Sequence, residues 1–186
     1  MSVIANNILT NSHREEVYKW VTTNEHLGDF NNTSTSTDTS RQAFSATFTR
    51  DNLPEVLDFF ECNQTNIYNI ICIITFNSGD IPEHTDDDLT CYMRELRLPE
   101  IFIKLPHTTS VYYVDICPRQ KGGETIFGDE RICPEVNSIL TFPSSTPHSV
   151  TAITGALRPR VAIVCEKYKL LKPALELIKT PIYRPG

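Results

Sequence analysis

The chain has 186 residues and a formal net charge of -6, from 23 acidic against 17 basic residues. That length suits one domain with a buried core, and the acidic balance, without Lys and Arg interleaved with aromatics, argues against nucleic acid as a partner. A hydrophobic fraction of 40% is ordinary for a globular protein, and no apolar run approaches the ~20 residues of a membrane span, so no membrane partner is expected.

The start, Met1 to Asn7, lacks a basic region followed by a long apolar core. No signal peptide is read there, and a cytoplasmic protein is expected. The six cysteines, Cys62, Cys72, Cys91, Cys117, Cys133 and Cys165, show no Cys-x-x-Cys spacing and are expected to be reduced, buried thiols.

From His13 to Thr23, Val17, Trp20 and Val21 recur at helical spacing, and Ser12 stands where a cap would. Asn31 to Ser40 is Asn, Thr and Ser with almost nothing to bury, which predicts a surface linker or a lid over a pocket. Asp51 to Phe60 predicts a second helix, with Pro54 in its first turn and Leu53, Val56, Leu57 and Phe60 on one side, backing a sheet. Ile67 to Phe76 is rich in β-branched and aromatic residues and predicts a buried strand.

After Asp88 the sequence is of mixed character as far as Thr108, with a short strand candidate at Ile101 to Leu105. The signals then become those of strands: Ser110 to Ile116, Glu124 to Phe127, Asn137 to Phe142, His148 to Ile153 and Arg160 to Cys165, separated by turn formers such as Gly122-Gly123, Gly128-Asp129 and Gly155. Tyr168 to Lys179 predicts a closing helix through Leu170, Leu171, Leu175 and Ile178, despite Pro173. Many short strands with regular turns imply a sandwich or barrel. The expected plan is a single domain over 1–186, mainly β with flanking helices (α+β): helical support over about 1–65, a β core over about 66–167 and a helix over about 168–179.

Chemistry concentrates at His84-Thr85-Asp86, where an imidazole and a carboxylate two positions apart point to one face of an extended segment. His148 leads a later strand and offers a third ligand. Two imidazoles and a carboxylate with open positions suit a divalent iron that binds a co-substrate and dioxygen together, although a zinc hydrolase uses similar donors. His13, His26 and His107 are expected at the surface. Arg160 leads an otherwise apolar strand, where burial of its charge requires an anion and its planar fork matches a carboxylate. Tyr113 could add its hydroxyl from a neighbouring strand, or be a core tyrosine with a satisfied hydroxyl.

The ordered series of His84-Thr85-Asp86, Val111 to Val114, Gly122-Gly123-Glu124-Thr125, Ser138 to Phe142, His148 to Thr151 and Arg160 to Ile163 resembles the iron(II)- and 2-oxoglutarate-dependent oxygenases, in their prolyl-hydroxylase-like branch. The resemblance spans Ile67 to about Tyr168. It implies a double-stranded β-helix, a jelly-roll or cupin-like barrel, with Fe(II) held by His84, Asp86 and His148 as catalytic metal ligands. It also implies 2-oxoglutarate bound through Arg160 and Tyr113, with O2 as the other co-substrate. Arg158 is a rival to Arg160, because it stands nearer the family's usual distance from the distal histidine; Pro159, which would disturb strand pairing at the earlier position, favours Arg160.

The implied activity is a dioxygenase that hydroxylates an unactivated C–H bond while 2-oxoglutarate becomes succinate and CO2. Asp86 argues against halogenation, since similar halogenases replace that carboxylate with a small residue. With little chain beyond the barrel and its helices, a small amino-acid-like substrate is expected, with a peptidyl, prolyl-type residue as the alternative. A non-catalytic metal-binding or sensing barrel is the alternative of another class. Asn31 to Ser40 and Asp87 to Thr108 are placed to shape the pocket.

Overall fold

Strand residues alternate between two faces, so a strand apolar on both faces must be covered on both. Ile67–Thr75 is such a strand, and the architecture grows outward from it. The computed structural model describes residues 2–29, 41–178 and 181–185. In chain order, β1 (Val3–Asn6) leads to α1 (Asn11–Thr22), then β2 (Gly28–Asp29) and β3 (Arg41–Thr49). Two 3-10 helices, Arg50–Asn52 and Glu55–Phe60, precede β4 (Ile67–Thr75), β5 (Ile81–His84) and α2 (Asp88–Glu95). Next come β6 (Thr108–Asp115), β7 (Lys121–Gly122), β8 (Thr125–Phe127), β9 (Glu130–Ile132) and β10 (Ser138–Phe142). The chain continues through β11 (His148–Val150), β12 (Ile153–Thr154), β13 (Arg160–Tyr168), α3 (Lys172–Leu177) and β14 (Ile182–Pro185).

The main sheet has the order β1-β10-β6-β13-β4-β3-β14, with β2 paired to β3; the smaller sheet runs β5-β11-β8-β9, and β12 pairs with β7. All these pairings are antiparallel, and β13 matches β4 along its full length, from Arg160 opposite Thr75 to Tyr168 opposite Ile67. This is a mainly β jelly roll with flanking helices. Its sheets do not close into a continuous barrel.

The even-numbered residues of β4 and β3, Tyr68, Ile70, Cys72, Phe44, Ala46 and Phe48, pack with Val161, Ile163 and Cys165 of β13. Val17 and Val21 of α1 and Leu57 and Phe60 of the second 3-10 helix cover them. Each such side chain, taken from water, is worth about 1.5–3 kcal/mol. A second cluster joins Ile67 and Tyr168 to Leu89 and Met93 of α2 and to Ala174 of α3. The opposite faces of β4 and β13 are left to face the smaller sheet.

Several expectations are corrected. Helix α1 is capped by Thr10, whose hydroxyl accepts from the His13 amide, rather than by Ser12. The second helix is two 3-10 pieces, because Pro54 forces Leu53 into an extended conformation (φ -61°, ψ 126°). The N-terminal portion, expected as helical support, also holds the nine-residue strand β3 and strands β1 and β2. Ile101 to Leu105 holds no strand, and the preceding mixed segment is helix α2. The closing helix shortens to Lys172–Leu177, since β13 runs on to Tyr168 and Leu171 is the extended N-cap, with Pro173 accommodated in the first turn. Cys91 and Cys133 are exposed rather than buried, though all six thiols are free. Asn31 to Ser40 lies outside the described residues. No helix among the described residues is long and apolar enough to cross a membrane.

Candidate metal centre

Strands β5 and β11 pair antiparallel with His84 directly opposite His148, which sets the two imidazoles side by side, their ring centroids 4.4 Å apart. Asp86 follows two residues after His84 and turns its carboxylate between them. Its Oδ1 lies 3.8 Å from His84 Nε2 and its Oδ2 lies 3.7 Å from His148 Nε2. One ligand atom from each of the three residues falls within 4.8 Å of the others.

Protons explain the arrangement. His84 Nδ1 sits 2.8 Å from the Pro82 carbonyl and His148 Nδ1 sits 3.1 Å from the Thr146 carbonyl, so in each ring Nδ1 carries the hydrogen and donates it. Each Nε2 is left with its lone pair aimed at the Asp86 carboxylate, as in metal sites where a second contact fixes the tautomer. Burial pushes the His148 imidazole below its usual pKa, against the opposing pull of Asp86, which favours the neutral, ligating form. Among the described residues, the buried Asp86 Oδ2 has no hydrogen-bond donor. A buried carboxylate oxygen without a donor is costly. Two imidazole nitrogens and a carboxylate converging in this way fit a divalent cation. Phe142 and Phe127 pack on His148, at centroid distances of 4.8 and 5.7 Å, and fix its ring.

The three residues open on a cavity of about 460 Å³ between the sheets. Its wall is largely aliphatic, with Ile71 and Ile73 of β4, Val111 of β6 and Ala162 and Val164 of β13. These are the odd-numbered neighbours, on β4 and β6, and the even-numbered ones, on β13, of the residues that build the core behind the sheet. Arg160 lines the same cavity and is 8% exposed. Its Nη1 donates to the Gly123 carbonyl at 2.8 Å, and its guanidinium lies 4.8 Å from the centre of the Tyr113 ring. Gly123 has φ +73°, and a Cβ there would run into the guanidinium, so glycine is what lets the chain pass so close. Among the described residues Arg160 has no carboxylate partner. Tyr113, 1% exposed, reaches Thr125 Oγ1 with its hydroxyl at 3.3 Å on the same cavity wall.

Arg158 is placed elsewhere: half-exposed, it pairs with Asp115 and donates to the Ile116 carbonyl at 3.1 Å. His13, His26 and His107 are also outside the cavity; His13 lies against the Val56 carbonyl at 3.1 Å, His26 stacks on Tyr183 and His107 is exposed. One charged lining residue escaped the sequence reading. Arg41 opens β3 opposite Thr75, which Arg160 faces from the other side, and donates to the Gly79 carbonyl at 2.9 Å. Its signal is the one used for Arg160, a guanidinium leading an alternating apolar strand. Asp88, at the start of α2, lines the cavity too, as expected of the segment Asp87 to Thr108.

No protein-family model matches the sequence, and no curated protein matches it. Solved structures do match the fold. A Pseudomonas putida prolyl-4-hydroxylase superposes with a TM-score of 0.59 at 13% identity, over 90% of this chain and 92% of its own. A 2OG-Fe(II) oxygenase family oxidoreductase from Burkholderia pseudomallei gives 0.57 at 11% identity, over 89% and 82% of the two chains. The viral collagen prolyl hydroxylase of Paramecium bursaria Chlorella virus-1, solved with 2OG, gives 0.55 at 11% identity, over 90% and 96%. The chain therefore has the fold of the 2OG-Fe(II) oxygenases. Two of these three structures are prolyl hydroxylases.

Proposed function

We propose that the protein is an iron(II)- and 2-oxoglutarate-dependent dioxygenase that hydroxylates a C–H bond of a small amino-acid-like substrate. The observation that carries this reading is the donorless Asp86 Oδ2 between two Nε2 lone pairs, on a cavity that also holds a buried arginine without a carboxylate partner. His84, Asp86 and His148 would hold the iron. When bound, iron(II) with 2-oxoglutarate and O2 supplies the oxidising chemistry that places oxygen in a C–H bond, with succinate and CO2 as co-products.

The chain's own part is placement. Arg160 receives the far carboxylate of 2-oxoglutarate in charge-assisted hydrogen bonds, and its burial removes competing water. Tyr113 backs the guanidinium with its ring and offers its hydroxyl to the same carboxylate. Ile71, Ile73, Val111 and Val164 line the cavity with hydrocarbon, which excludes water and leaves a bound aliphatic segment without competing polar contacts. The Nδ1 contacts to Pro82 and Thr146 fix the tautomer and keep both imidazoles turned inward.

The test is succinate release from 2-oxoglutarate, screened against free amino acids and peptides. Release coupled to a free amino acid supports the reading. Release coupled only to prolyl peptides would move the substrate to the peptidyl class, and absence of 2-oxoglutarate binding would favour a metal-binding barrel without catalysis.

A further inference from the structure

Glu166 is 1% exposed and forms no ion pair among the described residues, yet every hydrogen bond to it comes from a donor. Its Oε1 accepts the Asp88 amide at 2.8 Å. Its Oε2 accepts the Leu89 amide at 3.4 Å, the Asn69 amide nitrogen at 2.9 Å and the Tyr168 hydroxyl at 2.8 Å. Asp88 and Leu89 open helix α2, whose own N-cap residue, Asp87, gives no side-chain cap. A buried carboxyl from a different strand thus accepts amides that a helix start leaves unpaired.

The place of that helix start matters. Asp86 lies between two fixed points. Upstream, His84 is paired to His148 across β5 and β11. Downstream, the main chain of residues 88–89 is held by Glu166, and the Asp88 side chain by Arg184 Nη2 at 2.8 Å and by Asn69 at 3.0 Å. Since the inner Asp86 oxygen has no donor of its own, its position follows from how the chain is held on either side. Residues 85–87 are too few to absorb a shift at Asp88 without moving the carboxylate. Glu166 also stands six residues after Arg160 on β13, an even step, so one strand face carries both the arginine and this clamp.

We propose that Glu166 is a positioning residue for the metal ligand Asp86, acting through the first turn of α2. The proposal rests on the metal reading above. Its test, run at about pH 8.5 where Glu166 is ionised, compares the wild type with Glu166→Gln, which removes the charge, and Glu166→Asp, which keeps the charge but shortens the reach. Mn(II) affinity of the metal-free protein is measured by calorimetry, and hydrogen exchange is followed at the Asp88 and Leu89 amides. Both variants are expected to bind Mn(II) about 10-fold more weakly, the low end for residues that orient metal ligands, with faster exchange confined to the start of α2. Tyr168→Phe, which removes one donor to Glu166 and a 3.5 Å contact from Thr90 but leaves the Asp88 and Leu89 amide bonds, is expected to change Mn(II) affinity less than about threefold. Folded Gln and Asp variants that bind Mn(II) like the wild type would overturn the proposal. A wild type that binds no Mn(II) would instead overturn the metal reading and this inference with it, so the two failures are separated by which protein fails.

Discussion

Strands β4 and β13 show the same backbone put to two uses. On one face Tyr68, Ile70, Cys72, Val161, Ile163 and Cys165 are sealed under α1 and the second 3-10 helix. On the other, Ile71, Ile73, Thr75, Arg160, Ala162 and Val164 border an open cavity of about 460 Å³. One face lowers the free energy of the fold through burial; the other leaves apolar surface and, in Arg160, a buried cation with no carboxylate partner among the described residues. Because side chains alternate, a substitution one residue along the strand moves from the first role to the second.

That contrast is broken most directly at Asp86. Asp86→Ala is expected to abolish substrate-coupled turnover and to weaken metal binding by more than the ~10–100-fold that outer-shell partners cost, while unfolding stability holds; calorimetry and succinate assays check both. On the sealed face, Phe60→Ala should remove about 3–5 kcal/mol of stability, read by denaturant unfolding, and leave the metal affinity of the folded protein unchanged. Phe60 is 0% exposed, so the cavity it leaves has no way to refill with water at low cost.

The polar end of β13 sharpens the contrast through pH. Burial, with Asp88 nearby, raises the Glu166 carboxyl to about 7, against about 4.3 in an unfolded chain. A raised carboxyl pKa means that the folded protein keeps a proton that the unfolded chain has released. The associated stability is complete below about pH 4.3 and is lost as pH rises towards 7. Besides Asp88 on α2, the titratable group facing it is Tyr168 on its own strand. Wild-type stability relative to Glu166→Gln should therefore fall by about 2 kcal/mol between pH 5 and 7, measured by chemical unfolding; a flat difference would show that Glu166 is ionised throughout.

Arg160→Ala should weaken 2-oxoglutarate binding by roughly 10–100-fold, from the loss of about 1.5–3 kcal/mol of charged hydrogen bonding. Arg158→Ala, whose partner is Asp115 outside the cavity, should change it little. The smallest effect separates the faces by one methylene. Ile163→Val should cost about 0.5–1.5 kcal/mol, and Ile73→Val, whose side chain borders the cavity, should cost less.

The sequence announced the parts of this molecule whose chemistry is local. Ile67 to Phe76 reads as a strand because its residues are β-branched on both faces, and His84-Thr85-Asp86 reads as a ligand pair because the period of two is enough to align them. What failed depends on distance. Strand β3 was hidden because Arg41 to Thr49 mixes Ser, Thr and Gln into its alternation, and the apolar helix spacing of Asp51 to Phe60 masked the extended conformation that Pro54 imposes on Leu53. Arg41 was missed with its strand. Glu166 lies just past the expected strand Arg160 to Cys165, and only the fold brings the start of α2, 78 residues earlier, onto its carboxylate.

The most direct test of the central claim is an anaerobic titration of the iron(II)-loaded protein with 2-oxoglutarate, followed by visible absorption. The account predicts a weak charge-transfer band that saturates in the wild type and in Arg158→Ala, needs much more 2-oxoglutarate in Arg160→Ala and is absent in Asp86→Ala. A wild type that shows no band while binding zinc tightly would contradict it and leave a metal-binding jelly roll without oxygenase chemistry.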